Sequence, residues 1–133
     1  MRSDKRPACD DGVLSRLRHA LQALALPAEA QLGLLPAFSG GADEFALNFD
    51  QWSRAASADR AIRMSRAQRD ALKAVEGLLD KMSGEKNAHL WTMGALRGHR
   101  EWTRLRKAAR GALEAFGWGL EVPPSKPFEY IEW

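Results

Sequence analysis

Apolar residues recur every three or four positions along most of this chain, which is the spacing of amphipathic helices. The first such stretch begins at Val13 and stops before Pro27, and its leucines are Leu14, Leu17, Leu21 and Leu24. A short second helix is expected over residues 27–35, because proline suits the first position of a helix and Pro36 would end it. The pattern therefore predicts two helices that meet at a proline.

Two further helices are predicted after the flexible sequence of residues 39–41, Ser-Gly-Gly. Residues 42–58 have Asp43 and Glu44 in the first turn, where the helix dipole favours negative charge. One face of this segment carries Phe45, Phe49, Trp52 and Ala56. Residues 65–68, Ser-Arg-Ala-Gln, form an S-x-x-Q capping box, in which each side chain binds the other residue's backbone N–H. A helix should therefore begin after Ser65 and end at Ser83-Gly84.

The densest positive charge lies in residues 97–118, RGHREWTRLRKAARGALEAFGW, which we interpret as one amphipathic helix preceded by a short helix or turn. At about 100° per residue, its apolar side consists of Trp102, Leu105, Ala109, Ala112, Leu113 and Phe116. The opposite side carries Arg97, Arg100, Arg104 and Lys107, and Arg106 and Arg110 fall nearer the boundary. Gly117 and Gly119 are expected to end the helix.

Polar or proline-rich segments flank these helices. Residues 1–12 predict a flexible polar tail, and Asp10 or Asp11 is expected to cap the first helix. Residues 120–133 contain three prolines and predict an extended, aromatic C-terminal segment. Its aromatic side chains carry large apolar areas, so we expect them to pack on the protein's own helices, on a partner, or on a second copy by strand addition.

Together these elements predict an all-α fold, a single compact domain of about five helices with an extended, proline-rich aromatic C-terminal tail. The domain should span residues 13–133, which include the extended segment 120–133, and 133 residues suffice for one hydrophobic core. The expected core comprises Leu14, Leu17, Leu21, Phe45, Phe49, Trp52, Val75, Leu79, Trp102, Leu105, Leu113 and Phe116.

Composition and charge narrow the function only slightly. A hydrophobic fraction of 45% and a charged fraction of 28% are ordinary for a globular protein. The net charge of +3 permits nucleic acid or acidic proteins as partners without requiring either. The single cysteine, Cys9, excludes a disulfide within the chain and favours a reducing, cytoplasmic location. No apolar run reaches the length of a membrane span, so we expect no membrane partner.

The chain offers little recognisable catalytic chemistry. It has no zinc-protease, phosphate-loop, C-x-x-C or nucleophile-elbow motif, and its three histidines are far apart in sequence. Asp43, Glu44 and Asp50 are the only acids clustered enough to consider, but Asp43 and Asp50 would lie about 10 Å apart on a helix. We therefore expect no enzymatic activity, metal or cofactor, and a small enzyme with a site assembled from distant residues is the second alternative.

The favoured function is non-enzymatic protein binding, as an inhibitor, adaptor or regulatory subunit. Clustered arginines and aromatic residues are typical of binding hot spots, and an acidic protein surface would complement the basic side of the 97–118 segment. The predicted partner-binding residues are Arg97, Arg100, Arg104, Lys107, Phe128, Tyr130 and Trp133. A homodimer is also compatible with the aromatic C-terminal segment.

Two other interpretations of the basic helix stay open. It could bind nucleic acid without sequence preference through residues Arg97–Arg110, because arginine and lysine hold phosphates. Against this, the segment has no Asn or Gln to read bases, and Trp102 falls on the apolar side, where it could not stack on a base. The basic side could also be a solvated helix face without any partner, as charge runs usually are.

Overall fold

The computed structural model describes residues 8–34 and 42–121, and all regular structure within them is helical. The predicted all-α fold is confirmed. The helices are α1 (Ala8–Ala25), α2 (Ala28–Leu34), α3 (Asp43–Ala58), α4 (Arg66–Met82), a 3₁₀ segment (Glu85–Trp91), α5 (Met93–Gly98) and α6 (Arg100–Phe116). None of the described helices is long and apolar enough to cross a bilayer.

The four long helices form the body of the fold. α1 packs against both α3 and α6, and α6 packs in turn against α4. α3 and α4 touch each other at only a few points, so the arrangement is open between these two helices. The short helix α2 packs on α5, which also contacts α6 and the 3₁₀ segment.

The hydrophobic core matches the predicted apolar faces closely. Ten of the twelve predicted core residues are buried, and the other two, Leu14 and Phe116, are half-buried against the core. Trp102 is fully buried, and its ring meets the rings of Phe45 and Trp91 edge-on at centroid distances of 6.4 and 5.4 Å. Its Nε1 donates a hydrogen bond of 2.6 Å to the carbonyl oxygen of Leu90. The polar atom of this large side chain is therefore satisfied inside the core.

Several predicted helix ends are also confirmed. The side chain of Ser65 accepts a hydrogen bond from the Gln68 N–H at 3.1 Å, and Gln68 accepts one from the Ser65 N–H at 2.9 Å. α4 ends at Met82 and is followed by Gly84 with φ of 95°. α6 ends before Gly117, whose φ of 74° is left-handed, and glycine adopts this region without the clash of a Cβ.

The first helix begins earlier than predicted. α1 starts at Ala8, so it includes part of the segment predicted as a flexible tail over residues 1–12, whose first seven residues lie outside the described part. Asp10 and Asp11 thus occupy the first turn instead of preceding the helix. The dipole at a helix N-terminus favours acidic residues in that turn, so the polar composition of this segment did not oppose helix formation.

The basic segment is two helices and not the single predicted one. α5 ends at Gly98 and α6 begins at Arg100, with His99 in an extended conformation between them (φ −79°, ψ 137°). The Nδ1 of His99 accepts a hydrogen bond of 3.1 Å from the Glu101 N–H, so the histidine caps α6. Gly98 is a poor helix former and His99 satisfies a free N–H of the new helix, which together favour the break. Arg97 is therefore not in helical register with the arginines of α6.

The predictions for the C-terminal segment fall mostly beyond the described residues. The chain is described to Glu121, so residues 122–133, including Phe128, Tyr130 and Trp133, lie outside. At the end of the described part, the rings of Phe116 and Trp118 are stacked at a centroid distance of 4.4 Å. The amide of Gln22 on α1 donates to the carbonyl oxygen of Gly119 at 3.1 Å, which fixes the chain on α1 at this point.

Candidate functional site

The predicted partner-binding cations form an exposed group that we call the basic surface, consisting of Arg97, Arg100, Arg104 and Lys107. α6 carries three of these residues on the side away from its buried stripe, and α5 carries Arg97. The break at His99 means that two helices, packed against each other, display these charges. All four are accessible to a partner.

Two members of the basic surface have acidic neighbours. The Nε of Arg97 lies 3.2 Å from Oε2 of Glu29 on α2, and Nη1 of Arg104 lies 3.3 Å from Oε1 of Glu101. Such exposed ion pairs contribute about 0–1 kcal/mol and exchange readily. Within residues 8–34 and 42–121, no ion pair involves Arg100 or Lys107. These two residues therefore give the basic surface its uncompensated charge.

Arg106 differs from its basic neighbours because its side chain lies in the core and is only 9% exposed. Its Nε donates a hydrogen bond of 2.8 Å to Oε1 of Gln31, and its Nη2 donates to the carbonyl oxygen of Leu96. Gln31 is fully buried, and its Nε2 donates at 3.0 Å to the carbonyl oxygens of both Ala23 and Leu24. One arginine and one glutamine thus join α6, α2, α5 and the end of α1.

The positive charge of buried Arg106 is stabilised by the dipoles of neighbouring helices. Burial lowers the pKa of its guanidinium, and the positive charge of Arg110 lowers it further. Opposing this, the carbonyl oxygens around the Arg106–Gln31 pair belong to the C-terminal ends of α1 and α5, where helix dipoles place negative charge. The Nε of Arg110 similarly donates to the carbonyl oxygen of Ala25 at 2.9 Å. Arg106 and Arg110 therefore stabilise the fold.

Sequence periodicity placed Arg106 near the boundary of the helix and could not assign it to the core. It follows Leu105 by about 100° around the helix, where a long side chain can turn either way. The partner that draws it inward, Gln31, is 75 residues away in sequence. In the sequence, Gln31 is followed by two leucines, Leu32 and Leu34, and this gives only a weak signal of such a contact.

The open side between α3 and α4 forms a second candidate site, which we call the α3–α4 cleft. Its volume is about 390 Å³, in the lower part of the range for binding pockets. Its apolar lining consists of Ala46, Leu47, Phe49, Leu79 and Trp91. Its charged lining consists of Asp50 and Arg54 on α3 and Glu76 and Asp80 on α4. The cleft thus combines an apolar floor with three carboxylates and one guanidinium.

The charged groups of the cleft interact across its width. The Nε of Arg54 donates to both carboxylate oxygens of Asp50 at 3.0 and 2.9 Å. This hydrogen bond and the charge of Asp50 raise the pKa of Arg54, and Glu76 and Asp80 raise it further from the other helix. The buried Ser53 hydroxyl donates to Oε2 of Glu76 at 2.8 Å, which orients that carboxylate. The three carboxylates therefore share a single cation.

The sequence did not identify this cleft. It grouped Asp50 with Asp43 and Glu44, whereas the structure places Asp50 opposite Glu76 and Asp80 of α4. The spacing of Glu76 and Asp80 shows that they share one face of a helix. Which helix lies opposite them depends on how the helices pack together, and the periodicity of one segment does not predict that packing.

The structure brings two of the histidines together. The rings of His89 and His99 lie edge-on with a centroid distance of 6.0 Å, although ten positions separate them in sequence. The Nδ1 of His99 is engaged by the Glu101 N–H. Across residues 8–34 and 42–121, no three His, Cys, Asp or Glu residues are arranged to hold a metal ion. The histidine pair therefore lacks the further ligands of a metal centre.

Comparison with protein-family models, with curated proteins and with solved structures produced no match to this chain. Two surfaces of the protein are candidates for binding. They are the basic surface on α5 and α6 and the acidic, apolar α3–α4 cleft.

Proposed function

We propose that this protein is a non-enzymatic protein-binding module whose basic surface attaches to an acidic surface of another protein. The observation that carries this proposal is the contrast between neighbouring cations on α6. Arg106 and Arg110 donate to carbonyl oxygens at the ends of other helices, whereas Arg100 and Lys107 are exposed and form no ion pair among the described residues. A helix fixed in this way displays its free charges with little loss of backbone freedom on binding.

The details of the surface favour an acidic protein over a nucleic acid. Glu29 and Glu101 lie beside two arginines of the basic surface and would repel a continuous line of phosphates. Trp102 is buried and cannot stack on a base, so nucleic-acid binding would depend on charge alone. Separate carboxylates on a protein could instead pair with Arg100 and Lys107 while Arg97 and Arg104 keep their present partners.

Other parts of the proposal rest on the sequence. Phe128, Tyr130 and Trp133 are proposed as additional partner contacts, because a terminal aromatic group suits the centre of an interface. The single cysteine favours a cytoplasmic role. An inhibitor, an adaptor and a regulatory subunit all fit a binding module of this size.

The test compares two triple variants of equal charge. The test variant carries Arg100→Glu, Arg104→Glu and Lys107→Glu. The control variant carries Arg66→Glu, Arg69→Glu and Lys73→Glu, which reverses three exposed cations on α4. Far-UV circular dichroism and thermal unfolding should first show that both variants fold like the wild type.

Partners would be captured from the native lysate after nuclease treatment, identified by mass spectrometry and measured again with purified components. We expect a partner that binds the wild type and the control variant, and at least tenfold weaker binding to the test variant. Equal loss in both variants would show that only net charge matters and would overturn the proposal. Material that is captured from untreated lysate but lost after nuclease treatment, with affinity falling steeply as salt rises, would identify nucleic acid as the partner instead.

A further inference from the structure

We propose that the α3–α4 cleft is a second binding site, which accepts a short cationic peptide segment with one large apolar side chain between lysines or arginines. This site goes beyond the proposed function of the basic surface, because it shares no residue with that surface and has the opposite charge. The segment would belong to a partner protein.

The apolar part of the proposal rests on Leu47. This side chain lies in the second turn of α3 and is 60% exposed, although leucine in a helix of this kind usually faces the core. The only other large apolar side chain exposed to a similar degree in the described residues is Leu120, at 47%, near the end of the described chain. Leu79 and Trp91 line the cleft beside Leu47. An apolar side chain bound here would remove Leu47 from water.

The cleft is well defined, so it could hold such a side chain in place. The Nε1 of Trp91 donates to the carbonyl oxygen of Met82 at 2.8 Å, and the Trp91 ring rests edge-on against buried Trp102. Phe49 is fully buried and forms part of the lining from α3. These walls are therefore built from side chains fixed by their own partners, and binding would require little ordering.

The charge of the occupant follows from the lining. Asp50 is paired with Arg54, Glu76 is paired only with the neutral hydroxyl of Ser53, and no ion pair of Asp80 occurs among the described residues. The lining thus has three carboxylates and one guanidinium, which leaves two negative charges in excess. A lysine or arginine on each side of the bound apolar residue would complement them.

Two occupants from the protein itself fit less well. The C-terminal residues 122–133 have large apolar side chains, but their acids Glu129 and Glu132 outnumber the single Lys126 and would be repelled. A second copy could offer its basic surface, but Arg100, Arg104 and Lys107 include no apolar side chain to fill the cleft. A cationic, apolar segment of another protein satisfies both requirements.

The test selects peptides from a random twelve-residue phage display library against the full-length protein. The variant Leu47→Ser/Asp80→Lys serves as the counter-selection, since both side chains are exposed and the fold should tolerate their replacement. We expect the enriched peptides to share one Leu, Phe or Trp flanked by at least two Lys or Arg. Enrichment of acidic or uncharged peptides, or no enrichment over the variant, would overturn the proposal.

An enriched peptide would then be labelled and titrated by fluorescence anisotropy. We expect at least tenfold weaker binding to Asp80→Lys and to Leu47→Ser, and unchanged affinity within twofold for the matched controls Asp70→Lys and Leu120→Ser. The triple variant of the basic surface should bind the peptide at least as well as the wild type, which separates this test from that of the proposed function. Equal binding by Asp80→Lys and Asp70→Lys would contradict the site, and dimerisation abolished by Asp80→Lys would identify a second copy as the occupant.

Discussion

Gln31 on α2 accepts a hydrogen bond from Arg106 on α6, with 2.8 Å between Oε1 of the glutamine and Nε of the arginine. Both side chains are buried, and the glutamine passes the connection on to the carbonyl oxygens of Ala23 and Leu24 in α1. Arg106 also donates to the carbonyl oxygen of Leu96 on α5, so the pair joins four helices through polar contacts inside an otherwise apolar core. Such a network stabilises a fold only while every member is satisfied.

Replacing Gln31 by leucine should destabilise the protein strongly. The substitution keeps a similar volume but removes the acceptor of the Arg106 Nε and the donor for two carbonyl oxygens. We expect the free energy of unfolding in urea to fall by about 3 kcal/mol, because buried groups, one of them charged, lose their partners. The exposed control Arg104→Met should change it by less than about 0.5 kcal/mol.

The double variant Gln31→Leu/Arg106→Met tests whether these two residues act together. Removing the cation along with its acceptor should cost clearly less than the sum of the two single changes. Additive losses would show that Gln31 and Arg106 stabilise the protein independently and would contradict the network.

The pH dependence of stability should reflect His19. Burial lowers the pKa of its imidazole below the ordinary value of 6.5, and the charge of Arg18 lowers it further. The unfolded chain therefore takes up a proton at a higher pH than the folded chain does. The contribution of His19 to stability is present above pH 6.5 and is lost as the pH falls from there toward the lowered pKa.

Urea unfolding measured at intervals from pH 7.5 to 5 would check this dependence. We expect the free energy of unfolding to fall across this range in the wild type and to fall less in His19→Gln, which cannot take up the proton. The exposed Gln51→Ala, which removes no titratable group, is the control, and its curve should run parallel to that of the wild type. Parallel curves for His19→Gln and the wild type would show that other groups cause the pH dependence.

Two glycines, one within α6 and one at its C-terminal end, should respond oppositely to alanine substitution in their effect on stability. Gly117 has φ of 74°, where an alanine Cβ is strained, so Gly117→Ala should lower stability by about 1 kcal/mol. Gly111 lies in the helix with open space around a built Cβ, so Gly111→Ala should raise stability by about 0.5–1 kcal/mol. Thermal unfolding of both variants would show melting temperatures shifted in opposite directions, whereas shifts of the same sign would contradict this assignment of the helix end.

The capping box of α4 should make a measurable contribution to the free energy of unfolding. Ser65→Ala removes the acceptor for the Gln68 N–H, and we expect a loss of about 1 kcal/mol in the free energy of unfolding. Ser65→Asp keeps an acceptor and should restore most of it. Gln68→Ala should cost more than the capping bond alone, because the Gln68 side chain also donates to the carbonyl oxygen of Ala115 on α6 at 3.2 Å. Equal stability of Ser65→Ala and the wild type would contradict a capping role.

The sequence predicted most of the helices because the information for them is local. The stripe of Phe45, Phe49 and Trp52 repeats within a few residues, and the Ser65–Gln68 capping box is contained in four. The break at His99 was missed because a histidine rarely caps a helix, and the apolar periodicity continues on both sides of it. Predictions of this kind succeed where neighbours in sequence decide the structure.

The basic surface could be predicted from the sequence, whereas the α3–α4 cleft could not. The exposure of Arg100, Arg104 and Lys107 follows from their position on one helix, so periodicity was sufficient. Glu76 and Asp50 meet only because α3 and α4 lie on either side of an opening, which depends on how α1 and α6 arrange the other helices. The core position of Arg106 depends on a partner 75 residues away. Such contacts arise from tertiary packing, and no periodic pattern in the sequence predicts them.

The packing of α1 against α6 affects how the protein folds during its synthesis on the ribosome. α1 emerges before α6, which follows about ninety residues later. Synthesis proceeds at roughly 5–20 residues per second, so several seconds pass before α6 is available to cover the leucines of α1. During that interval α3 can shield one side of α1, while the side that will meet α6 stays open to chaperones. Emergence of α6 is therefore the event that completes the core.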